Sequence, residues 1–256
     1  MTPDWHPLDR ELNRWADAGL TLPLWWRDDD AIAPGPALDR LAGMAATIGL
    51  PVHLAVIPVH ATAALAGRVA FDPWLVPVVH GWAHDNHAPA GEKKAEFGAH
   101  RPQPAMLADA RQGFERLRDL FEDRLHPMFV PPWNRIAPQL VQSLPGLGYR
   151  ALSTFKPREA AVAAPGLAQV NTHLDPIAWK THRGLADPAA LIAQLATQLA
   201  DRREGRADNG EPYGLLTHHL VHDDAIWQFC GAALTRLLAG PGRPWTLPAT
   251  PKPEGT

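Results

Sequence analysis

Short apolar runs alternate with longer amphipathic ones along most of this chain. Leu22–Trp26, Val52–Ile57, Trp74–Val79, Met128–Val130, Ala151–Ser153, Ala168–Val170 and Tyr213–Leu216 read as short buried strands. Between them the apolar positions follow the helical period. Leu38, Leu41, Met44, Ala45 and Ile48 predict a helix opened by Pro36 and stopped by Gly49. Met106, Ala110, Phe114, Leu117 and Phe121 predict a long one, and further helices are expected over Ala61–Ala66, from Pro138 to Pro145 or Gly146, over Pro188–Arg203 and over Asp224–Leu238. Residues 1–20 read as a polar helix carrying Leu12 and Trp15 on one face, 88–104 as a surface loop, and 241–256 as a Pro-rich tail that frays. The rhythm of about seven strand-then-helix units argues for a parallel sheet or an α/β barrel.

Composition narrows this to one domain over residues 1–256, since 46% hydrophobic content at that length suffices for a single large core. A net charge of −3 provides no basic footprint, which disfavours nucleic acid or an anionic membrane as the main partner. The longest uncharged stretch, Leu41–Gly67, is broken by Gly49, Pro51 and Pro58, so no membrane insertion is expected. The amino terminus carries Asp4, Asp9, Arg10 and Glu11 rather than a basic start and an apolar run, and a cytoplasmic location is expected. The single cysteine, Cys230, lies in an apolar helical pattern and reads as core.

Chemistry concentrates where the strands end. Asp28–Asp30, His80–His87, Pro131–Arg135, His173–Asp175 and His218–His222 each follow an apolar run, and in an α/β barrel such positions converge on one mouth. Three adjacent acids repel one another and call for a compensating positive charge, such as a divalent metal, or else for a solvated turn. Six of the 13 histidines fall in the windows 80–87 and 218–222. On a helical turn, His80 and His84 would point the same way and share one ion. An Asp from the first strand completes two imidazoles and a carboxylate, a set that leaves positions open for water and substrate. Zinc held there would bring the pKa of water down towards ~7.

In order, Asp-Asp after the first strand, His-x-x-x-His after the third, Pro131-Pro132-Trp133, Asp175 followed by Trp179, and Leu216-Thr217-His218 resemble the five motifs of the metal-dependent polysaccharide deacetylases, carbohydrate esterase family four. The resemblance runs from Leu22 to His222. It implies a distorted (β/α)7 barrel and a hydrolase that removes N-acetyl or O-acetyl groups from a carbohydrate. It further implies Asp29 as general base, with Asp30, His80 and His84 as ligands of a divalent metal, most simply Zn2+. His218 matches the acid that protonates the leaving group, Asp175 the carboxylate that orients it, and Trp133, Trp179 and Leu216 the substrate lining. The pair Asp28–Asp29, and His219 in place of His218, remain open as one-residue shifts. Trp25, Trp26, Trp82, Trp133 and Trp179 are expected near the mouth, where rings stack on sugars, with one of Trp25 and Trp26 packed between barrel and helices instead.

Two positions depart from the family's pattern. Val130 stands where an Arg usually pairs with the base, leaving Arg27 or Arg135 as substitutes, and Gly81 stands where Ser or Thr usually follows the first histidine. Other readings of the same residues are a metal-dependent hydrolase of a non-sugar amide, and a catalytically degenerate barrel that keeps the metal and binds glycan or a partner.

Overall fold

The computed structural model describes residues 3–247. Its elements run α1 (His6–Asp17), β1 (Leu22–Ala31), α2 (Pro36–Ile48), β2 (Val52–Val56), α3 (Ala63–Ala70), β3 (Leu75–His80), α4 (Gln103–Phe121), β4 (Met128–Val130), α5 (Pro138–Val141), β5 (Ala151–Leu152), β6 (Val162–Ala164), β7 (Leu167–Gln169), α6 (Pro188–Arg203), β8 (Tyr213–Thr217), α7 (Asp224–Ala239) and β9 (Gly242–Pro244). The sheet order is β6-β7-β5-β4-β3-β2-β1-β8, with β9 added to β1. All pairings are parallel except the β6–β7 hairpin.

Seven parallel strands thus form a distorted (β/α)7 barrel whose ladder does not close. Across the gap the segment after β7 makes isolated bridges to both sides, Phe155 with Thr172 and Leu174 with Leu215. The helices cover the outside, as apolar strand faces require. Gly49 ends α2 in a left-handed conformation, φ +77°, and Asp187 and Asp223 cap α6 and α7 through their carboxylates. The amino-terminal helix α1 is anchored on α6: Trp15 Nε1 donates to Leu199 O, and Arg203 pairs with Glu11 at 2.6 Å.

Three expectations are corrected. The first strand does not stop at Trp26 but runs on through the acids to Ala31, because Arg27, Asp28 and Asp29 find internal partners and need no solvent. The tail does not fray from Pro241: β9 pairs with β1, Trp245 N donates to Leu24 O, and Leu247 is buried in the barrel floor beside Trp25, Val78 and Met128. Leu247 is clamped there, its N–H donating to His53 Nε2 and its carbonyl accepting from His126 Nδ1. The part of that expected tail over 248–256 lies outside the described residues. Finally, α5 is a single turn, with a separate 3-10 turn over Leu144–Leu147. No described helix is long and apolar enough to cross a membrane.

Candidate metal centre

Strand alternation sends Trp26, Asp28 and Thr217 to the outer face of the barrel wall, and Trp25, Arg27 and Asp29 to the interior. The contacts follow suit. Trp26 Nε1 donates to Thr217 Oγ1, which donates to Asp28 Oδ2 at 2.6 Å, and Asp28 Oδ1 meets His219 Nδ1. A bulge between Asp28 and Ala31, with Asp30 at φ +74°, then breaks the alternation and turns Asp30 towards β3. The three acids therefore part ways. Burial opposes ionisation of Asp28, but His219 and Thr217 hold its pKa below the usual range. Asp29 is an ion-pair partner of Arg27, and Asp30 faces two histidines. The charge that offsets Asp28 and Asp29 is thus supplied by the protein; the call for a cation falls on Asp30 alone.

Asp30 Oδ1 lies 3.1 Å from His80 Nε2 and 3.2 Å from His84 Nε2. His80 ends β3, and its Nδ1 donates to Val130 O at 3.0 Å. That bond fixes the neutral tautomer whose Nε2 carries a lone pair, and this lone pair points at a carboxylate oxygen. Lone pairs on His80 and Asp30 so oriented repel unless a proton or a cation lies between them. Consistent with this, burial works against a charge on His80, yet Asp29 and Asp30 raise its affinity for one; burial likewise works against Asp30, and the two imidazoles bring its pKa far down. Among the described residues this is one group whose donor atoms all lie within 4.8 Å of one another. Two imidazole nitrogens and a carboxylate oxygen suit a divalent transition metal, so the donor set fits the ion that the sequence pattern implies.

The two histidines do not converge on a helical turn, as their spacing suggested. Gly81 at φ +57° and His84 at φ +60° fold the segment into an irregular loop. Glu96, fully buried, holds that loop from behind by accepting from Ala83 N at 2.7 Å and Trp82 N at 3.3 Å. A Cβ at Gly81 would stand 2.3 Å from Glu96 Oε2 and 2.6 Å from Pro132 Cδ, which explains why no Ser or Thr occupies this position. Sequence reasoning missed Glu96; it sits in the segment read as a surface loop, and only its isolation between Ala95 and Phe97, both buried, marks it.

Of the two arginines considered for the base, Arg27 makes the contact. Its Nε lies 2.8 Å from Asp29 Oδ1 and its Nη2 donates to Asp29 Oδ2 at 3.0 Å. The guanidinium is itself held by Ser153 Oγ, Thr154 O and Asn134 Oδ1. Arg135 instead donates to Lys94 O.

His218, at the end of β8, is half-buried; its Nδ1 is buried without a hydrogen bond and its ring meets Trp179 edge-on at 4.7 Å. Asp175 makes no hydrogen bond to it. The carboxylate accepts from Trp179 Nε1 at 2.8 Å and from Ile177 N at 2.9 Å, and burial raises its pKa. Its hold on His218 runs through the Trp179 ring. Trp133, at φ +55°, packs at 4.3 Å on His84, and Leu216 is buried in β8.

Several expected mouth residues lie elsewhere. Both Trp25 and Trp26 are fully buried, Trp25 donating to Asn171 O, because each indole N–H finds an internal acceptor. His173 is buried, its Nε2 against Glu211 at 3.0 Å and its Nδ1 accepting from Gly214 N. His219 is buried against Asp28.

No family model matches the sequence, and no curated protein sequence matches it. Solved structures do. A carbohydrate esterase family 4 esterase from Streptococcus mutans superposes with a TM-score of 0.55 at 8% identity, over 89% of this chain and 85% of that one. A peptidoglycan N-acetylglucosamine deacetylase bound to a hydroxamate gives 0.50 at 14%, over 86% and 84%. A family 4 pseudoenzyme from Bacillus anthracis gives 0.50 at 11%, over 86% and 61%. At such identities the likeness concerns the fold, and that fold carries both active and inactive members.

Proposed function

We propose, on the premise that the chain has the family 4 deacetylase fold, that it is a metal-dependent hydrolase that removes acetyl groups, N-linked or O-linked, from a carbohydrate. The observation that carries this is the convergence of Asp30, His80 and His84 beside a separately paired carboxylate, Asp29. Asp30, His80 and His84 would hold the divalent ion, zinc being the simplest choice, and the ion when bound supplies Lewis-acid polarisation of a carbonyl and of a water.

The chain's own residues have distinct tasks. Asp29 is the base that takes the proton of the attacking water, and Arg27 holds that carboxylate in place. His218 gives its proton to the departing nitrogen or oxygen, positioned by Trp179, which Asp175 fixes through the indole N–H. Val130 contributes through its backbone, accepting from His80 Nδ1 and so leaving Nε2 free as a ligand. Trp133 and Trp179 flank the reacting centre and offer faces to a sugar ring and an acetyl methyl. Acetate and a free amine or alcohol are the products.

The test is release of acetate from a panel of N- and O-acetylated saccharides, with small non-sugar amides alongside and Asp29→Asn as control. Turnover confined to the amides would replace the carbohydrate reading. A second reading, a metal-holding barrel that binds glycan without hydrolysis, draws on the unpartnered His218 Nδ1; stoichiometric metal with no acetate released would select it.

A further inference from the structure

A cavity of about 740 Å³ is lined on one side by Asn134 and Thr154, the residues that hold Arg27, which in turn pairs with Asp29. Its size is that of a ligand site rather than a packing gap. The charge around it runs against the chain's net negative balance. Arg135 and Lys156 line it, and among the described residues neither makes an ion pair. Arg158 also lines it but is neutralised by Asp208 at 2.6 Å, and Glu159 is the opposing acid on the same wall. Lys94, whose carbonyl Arg135 holds, lies outside this lining, its ammonium 5.9 Å over the Trp133 ring.

Lys156 is placed at some expense. Its φ of +86° is a conformation that residues with a Cβ rarely adopt, and it is fixed by its N–H donating to Thr172 O and its carbonyl accepting from Asn171 Nδ2. Two cations without an ion-pair partner suit an acidic saccharide, through charge-assisted hydrogen bonds, better than a neutral one.

Resting on the hydrolase reading above, we infer that this cavity is a subsite for an anionic group, a carboxylate or a phosphate, carried by the residue next to the acetylated sugar or by that sugar's own anomeric oxygen, so that the substrate is an acidic saccharide. Arg135 and Lys156 bind the anion; Asn134 and Thr154 connect the subsite to the base through Arg27.

The probes are an acetylated tetrasaccharide alternating N-acetylglucosamine with glucuronate, N-acetylglucosamine 1-phosphate, and the neutral N-acetylglucosamine tetramer. Acetate release is followed with wild type and with Arg135→Gln/Lys156→Gln. The expected result is a wild-type preference in kcat/KM for at least one anionic probe, falling about tenfold in the double variant, the size of losing two partly exposed ion pairs. Carboxylate and phosphate are told apart by which anionic probe is preferred. Should the double variant fail to fold, the wild-type KM for the preferred anion must still rise several-fold between low and high salt while that for the neutral tetramer does not. Calorimetric binding of the same three probes reads the subsite even if no acetate is released, so that failure of the hydrolase reading is seen separately. Equal affinity for all three probes, or an unaltered preference in the double variant, overturns the subsite.

Discussion

Arg27 and Asp29 lie two residues apart on one strand, and the guanidinium meets both carboxylate oxygens, Nε at 2.8 Å from Oδ1 and Nη2 at 3.0 Å from Oδ2. The i and i+2 positions of a strand share a face, so Asp29 and its cation come from a single stretch of chain. Val130, where the sequence pattern wanted an arginine, is thereby free to act through its backbone.

Removing the arginine leaves a carboxylate with 4% side-chain exposure unpaired. Arg27→Met is expected to cost about 3–5 kcal/mol of stability, because a broken buried pair leaves an uncompensated charge. Arg27→Lys keeps the charge but loses the fork that also reaches Ser153, Thr154 and Asn134. It is expected to fold and to lose about 10–100-fold in kcat. Denaturant unfolding together with acetate release checks both.

Gly81→Ala tests the loop that presents His84. The added methyl meets Glu96 Oε2 at 2.3 Å and Pro132 at 2.6 Å, in a backbone conformation at φ +57°. A loss of roughly 2–4 kcal/mol is expected, from strain and displaced neighbours together. Glu96→Gln, which keeps the shape but weakens acceptance from Trp82 N and Ala83 N, is expected to lower metal affinity by about 10-fold or more, the effect typical of outer residues that orient ligands. Unfolding midpoints and metal titration read these out.

His218→Asn should leave the fold intact, the residue being half-buried at the mouth, and lower kcat on an N-acetyl substrate by about 10²–10⁴-fold. On an O-acetyl substrate with an activated leaving group the loss should be smaller, because an aryl oxide departs without a proton. Equal losses on both would move His218 out of the acid role.

Acid sensitivity follows from the barrel floor. Burial, reinforced by His126, holds His53 at a pKa of about 3, against about 6.5 in an unfolded chain. The folded state thus binds this proton less readily than the unfolded one. Stability is complete above pH ~6.5 and falls as pH drops towards ~3, at up to ~1.4 kcal/mol per pH unit from this group. Because His53 Nε2 accepts from Leu247 N, protonation also releases the carboxy-terminal clamp. His53→Gln should flatten the pH dependence of unfolding free energy over that window; an unchanged slope would assign the acid lability to other groups.

Much of this architecture was legible from periodicity. Pro188–Arg203 coincides with α6, and, apart from β1, which runs on from Trp26 to Ala31, the apolar runs matched the main parallel strands to within about two residues. What escaped did so for identifiable reasons. The acids of β1 looked like a strand end because polarity is read as solvent, whereas two of them found partners on distant segments, Asp28 on His219 and Thr217 and Asp30 on His80 and His84, and Asp29 found Arg27 on its own strand. β9 is short, Pro-containing and paired at the edge of β1, so its composition resembles a loose tail. β6, the strand that forms a hairpin with β7, has three residues, too few positions to show alternation. For the site, spacing brought out His80 and His84 and the resemblance picked Asp30 from the three acids, but nothing local distinguishes Glu96 or selects Arg27 over Arg135.

The central claim is that Asp30, His80 and His84 bind one divalent ion. Calorimetric titration of chelator-treated protein with Zn2+, on wild type and Asp30→Ala, tests it most directly. One tight equivalent is expected on the wild type and a loss of at least about 100-fold in affinity for the variant, with the fold retained. Undiminished binding by Asp30→Ala, or no binding by the wild type, would contradict it.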